Sequence, residues 1–332
     1  MKKSKTKNDN MLLPELVDTI FSVCEEKIED CGEDCYVYSV NECAALLAVC
    51  DGCGGLGATS YPEWGNRTGA YLASRMVIFS LQKWFNEICD SGHLFDEKDS
   101  IHLKELIQKG LCLFKNNDKP VSKIQGSLVR QFPTTLAAAI TKYDGQKIIG
   151  NVLWAGDSRV YCLTSQGLFQ LSVDDIYGED ALSNLTKDGA LKNVISSDGN
   201  YKIHSEMYDI PSPGIVISST DGCFGYIPTP MHFEFMLLTC LNNAKNVVEW
   251  KENILKVLQK VAGDDATMCL ATFGYGSFSE LKSSLRGRLD EVKRKYIIPL
   301  EDANDEMVRN YWNEYKQGYY GMLKQEYKEM YL

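Results

Sequence analysis

The stretch LLAVCDGCGGLG, residues 46–57, limits the possible folds more than any other part of the sequence. An apolar run with the length of a buried strand ends at Asp51, and Gly52, Gly54 and Gly57 then match the spacing G-x-G-x-x-G. That spacing occurs in dinucleotide-binding α/β folds, where the glycines let a pyrophosphate approach a helix N-terminus. A dinucleotide site also requires a second strand that ends in an acid about 20 residues later.

The residues that follow Gly57 argue against a dinucleotide site. They predict one long helix from Glu63 to about residue 88, and no strand with a terminal acid follows at the required distance. A carboxylate at the position of Asp51 would also repel a pyrophosphate that faces the helix end. A carboxylate at a strand end, with glycines and little bulk around it, instead suits a hard divalent cation such as Mg²⁺ or Mn²⁺.

The order of the predicted elements excludes a doubly wound sheet. Strands, helices, strands, helices and a last strand follow one another, whereas a doubly wound fold alternates strand and helix. The runs TTLAAAITKY, KIIGNVLWA, RVYCLTS and GLFQLSV predict consecutive strands joined by tight turns, and residues 174–213 predict a loop-rich stretch. This pattern predicts an α+β fold in which antiparallel sheets are covered by helices.

Acidic residues recur at the ends of the apolar, strand-like runs. One such residue would be interpreted as part of a turn, where Asp-Gly is common. Five acidic clusters in equivalent positions are not explained by turns alone, and they indicate a shared site. The clusters are Glu33 with Asp34, Asp51, Asp157, Asp221, and Asp264 with Asp265.

The charge and the cysteines restrict the class of partner. With 35 Lys and Arg against 45 Asp and Glu, the net charge of -10 argues against nucleic acid as a partner. No apolar run reaches the roughly 20 residues of a membrane span, and we see no secretory signal, so we expect a cytoplasmic protein that does not bind membranes. The C-x-x-C of Cys50 and Cys53 lacks the second pair typical of zinc sites, so mostly buried thiols are expected.

Seven motifs occur in a fixed order along residues 18–274: GED, AVCDGCGG, PTTL, AGDSRVY, QLSVDD, SSTDGCFG and GDDAT. In that order they resemble the motifs of the metal-dependent protein serine/threonine phosphatases, the PPM or type 2C class, and its bacterial members in particular. The resemblance implies an antiparallel two-sheet β-sandwich flanked by helices, an αββα arrangement. It also implies a cytoplasmic signalling hydrolase that removes phosphate from phosphoserine and phosphothreonine on proteins.

The resemblance further implies a catalytic centre built on carboxylates. Asp51 corresponds to the residue that bridges two Mn²⁺ or Mg²⁺ ions, and Asp221 and Asp264 correspond to the other ligands of the first ion. In this class, a hydroxide that bridges the two ions attacks phosphorus, and the ions offset the charge on the phosphate oxygens. No Ser, Cys or His nucleophile is then needed.

The remaining ligands are also implied by the resemblance. Glu33 and the carbonyl of Gly52 correspond to the ligands of the second ion, with Asp34 beside them. Asp157 corresponds to a ligand of a third, weaker ion that many bacterial members bind.

Two positions depart from the class. The arginine that grips the substrate phosphate in many members is replaced by Glu29, which leaves Lys27 as the nearest cation and the candidate phosphate ligand. Cys53 stands where other members have His or Met. Because Cys53 lies next to Asp51 in the motif, it is a candidate redox-sensitive residue, with passive packing as the alternative.

The predicted organisation has three parts: a polar N-terminal tail (1–14), a catalytic domain (15–275) and a helical C-terminal extension (276–332). In the extension, an apolar stripe at helical spacing runs through Val308, Trp312, Tyr315 and Tyr319, so it packs on the main domain or binds a partner. Two alternatives to a protein phosphatase remain open. One is a phosphatase-like binding module with weak catalysis, and the other is a phosphatase that acts on a small phosphorylated molecule.

Overall fold

The structure of this chain is a computed structural model that describes residues 16–91, 97–115, 131–178, 180–186 and 189–332. The polar tail predicted for residues 1–14 lies outside the described residues. Two five-stranded antiparallel sheets form the centre of the molecule, and helices cover the outer face of each sheet. The predicted αββα sandwich of the α+β class is thereby confirmed.

The first sheet brings together the first and the last strand of the chain. With strands numbered in chain order, it contains β1 (Val17–Glu25), β8 (Arg159–Thr164), β9 (Gly167–Gln170), β11 (Gly214–Ser219) and β12 (Ala266–Phe273). Their order across the sheet is β1-β12-β11-β8-β9.

The second sheet carries the glycine motif at the end of one of its inner strands. It contains β2 (Cys35–Val40), β3 (Ala45–Cys50), β6 (Leu136–Tyr143), β7 (Ile148–Ala155) and β10 (His204–Ile210), in the order β10-β7-β6-β3-β2. A separate two-stranded hairpin consists of β4 (Ser60–Tyr61) and β5 (Arg67–Thr68).

The apolar runs form strands because both faces of the inner strands are buried. In β3, Leu47 and Val49 point into the core between the sheets, whereas Leu46 and Cys50 point into the core beneath the helices. Side chains alternate between the two faces of a strand, so a strand covered on both faces reads as an unbroken apolar run.

Helices pack against the outer face of each sheet. Those next to β2 and β3 bury an apolar stripe that includes Trp84 and Phe85, and those next to β1 bury Trp250. The helices are α1 (Gly69–Ser91), α2 (Glu97–Lys115), α3 (Ser183–Thr186), α4 (Pro230–Asn243), α5 (Val247–Val261), α6 (Phe278–Val292), α7 (Ile298–Leu300), α8 (Asp305–Tyr319) and α9 (Gln325–Tyr331). Lys293–Ile297 forms a π-helical turn between α6 and α7.

The predicted helix from Glu63 to about residue 88 is wrong at its start, because α1 begins at Gly69. Pro62–Trp64 forms a 3₁₀ turn that ends at Gly65, whose φ of 72° lies in the left-handed region, and Asn66 follows with φ 59°. These turn residues fold the chain into the β4–β5 hairpin before the helix can start.

The stretch 174–213, predicted to be loop-rich, contains the additional strand β10. This strand pairs with β7 along its whole length, from His204 opposite Trp154 to Ile210 opposite Ile148. Only Tyr208 and Ile210 of β10 are buried. The edge strand therefore lacks the apolar run by which the inner strands were identified.

The C-terminal residues are helical, as predicted, and their apolar stripe lies on the sandwich. Trp312, Tyr315 and Tyr319 are buried, and the Tyr319 ring packs 6.3 Å from that of Tyr161 in β8. The boundary between residues 275 and 276 stays a prediction. Within the described ranges, no helix combines the length and the apolar character needed to cross a membrane.

Candidate active site

One end of the sandwich collects the acidic clusters. Asp51 directly follows β3, and the pairing of Cys50 with Cys35 places Asp34, which precedes β2, beside it. Asp221 follows β11, and the amide of Thr220 donates to the carbonyl of Thr267 at the start of β12. The antiparallel registers therefore bring together acids that are far apart in the sequence.

Asp51 is fixed by the PTTL motif at the start of β6. Its backbone N–H donates to Thr135 Oγ1 over 3.0 Å, and its carbonyl accepts from Thr134 Oγ1 over 2.7 Å and from the Thr135 amide over 2.8 Å. Thr135 Oγ1 also lies 2.6 Å from Ser158 Oγ, next to Asp157. The two threonines thus hold the backbone of Asp51 in place.

The carboxylates of the site repel one another. Burial, followed by repulsion from Asp221, Asp34, Asp157 and Asp264, raises the pKa of Asp51 well above its usual value. Burial and repulsion from Asp221 also raise the pKa of Asp157 to about 8. Each carboxylate disfavours ionisation of its neighbours, and a cation bound among them would favour the charged form of all of them.

Asp34 connects the two sheets. It is buried, and its Oδ2 accepts from Thr220 Oγ1 over 2.9 Å. Its Oδ1 is also buried and has no hydrogen-bond partner among the described residues. Burial, with repulsion from Asp265 and Asp221, raises the pKa of Asp34 to about 7, although the Thr220 bond lowers it.

Glu33 lies directly over the glycine turn. A Cβ added to Gly54 would be 2.1 Å from Glu33 Oε2, and one added to Gly52 would be 2.9 Å from Glu33 Cβ. Larger residues at these two glycines would therefore collide with Glu33. The structure thus brings together Glu33 and Gly52, the predicted ligands of the second ion.

Asp264 and Asp265 have different surroundings. Asp265 accepts from the amides of Lys27 and Glu33 over 2.8 and 2.6 Å, so its carboxylate holds the loop that carries Glu33. Asp264 Oδ1 accepts from the Asp265 amide over 2.9 Å, and its exposed side chain contributes to the raised pKa of Asp51.

The turn that carries Asp157 is supported by the SVDD motif. Asp175 accepts from the Gly156 amide through Oδ2 over 3.1 Å, and its own amide donates to the Gly156 carbonyl over 2.9 Å. Gly156 has φ 98°, a conformation that favours glycine. Arg159 and Asp174 form a buried, bidentate ion pair next to this turn, with bonds of 2.9 and 2.6 Å.

Two supporting residues were missed by the sequence analysis. Asp175 was quoted only as part of a motif, and Thr68 was placed inside the helix predicted from Glu63. Thr68 in fact precedes the first residue of α1 and accepts from the Tyr71 amide over 3.1 Å. Thr next to glycine at a helix start is a capping signal that could have identified it.

Lys27 and Cys53 stay predictions. The Lys27 amide is bound by Asp265, and its ammonium lies 3.5 Å from the carbonyl of Ala262. Burial, together with repulsion from Asp51 and Asp157, raises the pKa of Cys53 well above its usual value. A raised pKa disfavours the reactive thiolate, so the electrostatics favour passive packing of this thiol.

The donor atoms fit a hard divalent cation, although the side chains do not already form a closed cage. No group of three or more His, Cys, Asp or Glu in the described part of the chain is arranged to hold a metal ion. The donors at the site are nonetheless oxygens of mutually repelling carboxylates, with the unpaired Asp34 Oδ1 among them. Oxygen donors with excess negative charge match the preference of Mg²⁺ and Mn²⁺.

Known proteins resemble this chain in sequence and in fold. No family model matches the chain. A protein of Mycoplasma genitalium with the name "Putative protein phosphatase" is 23% identical over 256 residues, which is 72% of this chain and 88% of that protein.

Two solved structures share the fold. A point-mutated bacterial serine phosphatase matches with a TM-score of 0.57 and 17% identity, over 77% of this chain and 98% of its own. The serine/threonine phosphatase Stp1 from Staphylococcus aureus matches with a TM-score of 0.56 and 15% identity, over 82% and 99%. The predicted resemblance is thereby confirmed at the level of the fold: the chain has the sandwich fold of the bacterial PPM serine/threonine phosphatases.

Proposed function

We propose that the chain is a metal-dependent phosphatase that hydrolyses phosphoserine and phosphothreonine on proteins. The observation that carries this proposal is the convergence of Asp51, Asp157, Asp221 and Asp264 at one end of the sandwich, where their repulsion raises the pKa of Asp51. A folded protein retains such a cluster at a cost in stability, which bound cations would offset.

In this proposal, the carboxylates hold two divalent ions, Mn²⁺ or Mg²⁺. Asp51 would be a ligand of both ions, Asp221 and Asp264 would be ligands of the first, and Glu33 and the Gly52 carbonyl would be ligands of the second. Asp157 would be a ligand of a third, weaker ion. Bound ions would supply an activated water and offset the negative charge that develops at phosphorus.

The chain's own residues hold this arrangement in place. Thr134 and Thr135 fix the backbone of Asp51, Asp265 fixes the amide of Glu33, and Asp175 fixes the turn before Asp157. Lys27, whose amide shares Asp265 with Glu33, is the proposed cation for the substrate phosphate. Rigid support of this kind matters because misplacing a reacting group by about 1 Å costs roughly a hundredfold in rate.

The first experiment measures phosphate release from a phosphothreonine peptide and from p-nitrophenyl phosphate with Mn²⁺, Mg²⁺ or EDTA. The wild type is compared with Asp51→Asn and with Asp209→Asn, a matched control whose side chain is 70% exposed and pairs with Lys147. We expect metal-dependent turnover in the wild type and in Asp209→Asn, and its loss in Asp51→Asn.

Varying the substrate and the metal in this experiment distinguishes a protein phosphatase from a small-molecule phosphatase and from a phosphatase-like binding module. A higher kcat/KM for the peptide supports a protein phosphatase, whereas a preference for the small ester supports a phosphatase of small molecules. A wild type that binds Mn²⁺ by calorimetry but releases no phosphate would replace the proposal with a phosphatase-like binding module. The helices after Ser277 would then become the first candidates for a partner surface.

A further inference from the structure

The β4–β5 hairpin meets the site at its last two residues. Arg67 Nη1 donates to the carbonyl of Asp30, and Thr68 Oγ1 donates to Glu33 Oε1. Both contacts reach the loop before β2, which carries Glu33. The hairpin is therefore attached to one predicted cation ligand by two consecutive residues.

The hydroxyl of Thr68 has two different partners. It accepts from the amide of Tyr71 over 3.1 Å and so caps the start of α1, and it donates its proton to the carboxylate of Glu33. A hydroxyl has one proton and two lone pairs. Because the amide of Tyr71 occupies a lone pair, the proton is free to point at Glu33.

The backbone of Glu33 is held separately from its carboxylate. Its carbonyl accepts from Ser74 Oγ over 2.5 Å and from Arg75 Nη1 over 3.0 Å, and its amide donates to Asp265. Among the described residues, the hydrogen bond to the Glu33 carboxylate comes from Thr68. The other contacts fix the position of the Glu33 backbone, and the bond from Thr68 fixes the position of its carboxylate oxygens.

The same carboxylate faces the glycine turn on its other side. Glu33 Oε1 is bound to Thr68, whereas Glu33 Oε2 is the atom that a Cβ at Gly54 would meet at 2.1 Å. The hydrogen bond thus orients the plane of the carboxylate and leaves Oε2 over the turn that follows Asp51. A carboxylate in this arrangement can bind a cation through Oε2 while the hydrogen bond to Oε1 fixes its orientation.

We propose that Thr68 is a positioning residue that orients Glu33 as a cation ligand, with Arg67 holding the loop in which Glu33 lies. This inference rests on the proposed function, since the orientation of Glu33 matters for binding only if Glu33 binds a divalent ion. Arg67 supports the loop at Asp30, a non-glycine residue with φ 60°, and its guanidinium lies 4.5 Å from the centre of the Tyr71 ring. The hairpin is therefore a part of the site, although it carries no proposed ligand itself.

The test compares Mn²⁺ binding by calorimetry in the wild type, Thr68→Val and Thr68→Ser. Valine has the shape of threonine but cannot donate a proton, whereas serine keeps the hydroxyl. Losing a hydrogen-bond partner of a metal ligand typically weakens metal binding about 10- to 100-fold. We expect Thr68→Val to weaken Mn²⁺ binding at least tenfold, and Thr68→Ser to restore it.

A second helix cap controls for the loss of the α1 cap. Ser277 accepts from the amide of Glu280 over 3.2 Å at the start of α6, beyond the opposite end of β12. Both Ser277→Ala and Thr68→Val should lower the melting temperature, but Ser277→Ala should leave Mn²⁺ binding unchanged. A double variant with Glu33→Gln should bind Mn²⁺ no more weakly than Glu33→Gln alone, because Thr68 acts through Glu33.

The outcomes distinguish the inference from the proposed function. A wild type that binds no Mn²⁺ and releases no phosphate overturns both. If the wild type binds Mn²⁺, the inference alone is overturned by either of two results. One is that Thr68→Val binds Mn²⁺ as well as the wild type does, and the other is that the losses of Mn²⁺ affinity from Thr68→Val and Glu33→Gln add in the double variant.

Discussion

Arg288 donates to the carboxylate of Glu234 through Nε and Nη2 over 2.8 and 2.9 Å, and the Glu234 side chain is completely buried. Tyr315 of α8 donates to the same carboxylate over 2.6 Å. This cluster links α4, α6 and α8 and so joins the C-terminal extension to the helices on the first sheet. The cluster is therefore a buried polar connection between α4 and the C-terminal extension.

Replacing Arg288 should destabilise the fold strongly. Arg288→Met leaves a buried carboxylate without its charge partner, which typically costs about 3–5 kcal/mol of unfolding free energy. Tyr315→Phe removes one hydrogen bond and should cost about 1–3 kcal/mol. Urea unfolding followed by circular dichroism measures both. Arg286→Met, at an exposed position on the same helix, serves as the control and should change stability by less than about 0.5 kcal/mol; an equal loss there would contradict this account.

The sequence pattern predicted antiparallel sheets covered by helices because the inner strands are buried on both faces, whereas the two-sheet sandwich was implied by the resemblance of the motifs to the PPM class. The run that became β3 is apolar throughout and those that became β6 and β7 are largely apolar, and Trp312 and Tyr319 mark the buried side of α8 at helical spacing. Strand β10 was missed because an edge strand needs little apolar character. The start of α1 was missed because turn residues after Pro62 act through backbone conformation, which hydrophobic periodicity does not report.

The convergence of carboxylates could be predicted from their positions at strand ends. The hydrogen-bond partners of individual residues could not be predicted, because those partners lie far away in the sequence. Carboxylates at strand ends identified Asp51 and Asp221. No pattern indicated that Asp265 would bind two backbone amides while its neighbour Asp264 stays open. Such roles depend on the register between strands that are distant in sequence.

Removing one charge from the site should stabilise the metal-free protein. Asp51→Asn relieves the repulsion that Asp221, Asp34 and Asp157 exert on this residue. In EDTA at pH 8, its melting temperature should exceed that of the wild type, whereas phosphate release with Mn²⁺ should be lost. Differential scanning calorimetry tests the first part. A lower melting temperature in EDTA would mean that the carboxylates are not in conflict.

The stability of the metal-free wild type should fall as the pH rises. The pKa values of Asp34 and Asp157 are raised to about 7 and about 8 in the folded state, above an ordinary value of 3.8. The folded state therefore binds more protons than the unfolded state between about pH 4 and pH 8, and the unfolding free energy decreases across that range. Urea titrations in EDTA at pH 5 and pH 8 measure this decrease, and a saturating concentration of Mn²⁺ should reduce it.

Thr135 should be essential for the geometry at Asp51. Thr135→Val leaves the Asp51 amide and the Ser158 hydroxyl without their shared partner, and a buried unpaired polar group costs about 1–3 kcal/mol. Thr135→Ser keeps the oxygen and should recover most of the loss. Urea unfolding measures the stability, and kcat measured at saturating Mn²⁺ should fall in Thr135→Val alone. Equal kcat values in both variants would show that this bond does not shape the site.

Trp312 should hold the segment around Asp180 in place. Its Nε1 donates to Asp180 Oδ2 over 2.7 Å, and Asp180 Oδ1 accepts from the Ser183 amide over 3.0 Å at the start of α3. Trp312→Phe removes this bond, so the amides of Ser183 and Asn184 should exchange hydrogen faster by mass spectrometry or NMR. Trp250→Phe is the control, because Nε1 of that buried tryptophan has no partner among the described residues. Faster exchange in both variants would indicate general loosening.

Lys27 should contribute to substrate binding and leave the chemical step unchanged. Asp265 binds both the Lys27 amide and the Glu33 amide, so the loop that carries the predicted ligand also carries this cation. Lys27→Ala should raise KM for p-nitrophenyl phosphate about three- to tenfold at constant kcat, which is the signature of lost binding to ground and transition state alike. Lys260→Ala, which removes an exposed cation at the end of α5, is the control for net charge. An unchanged KM in Lys27→Ala would remove Lys27 from the site. Arg67, which already lies against the same loop, would then be the next cation to test.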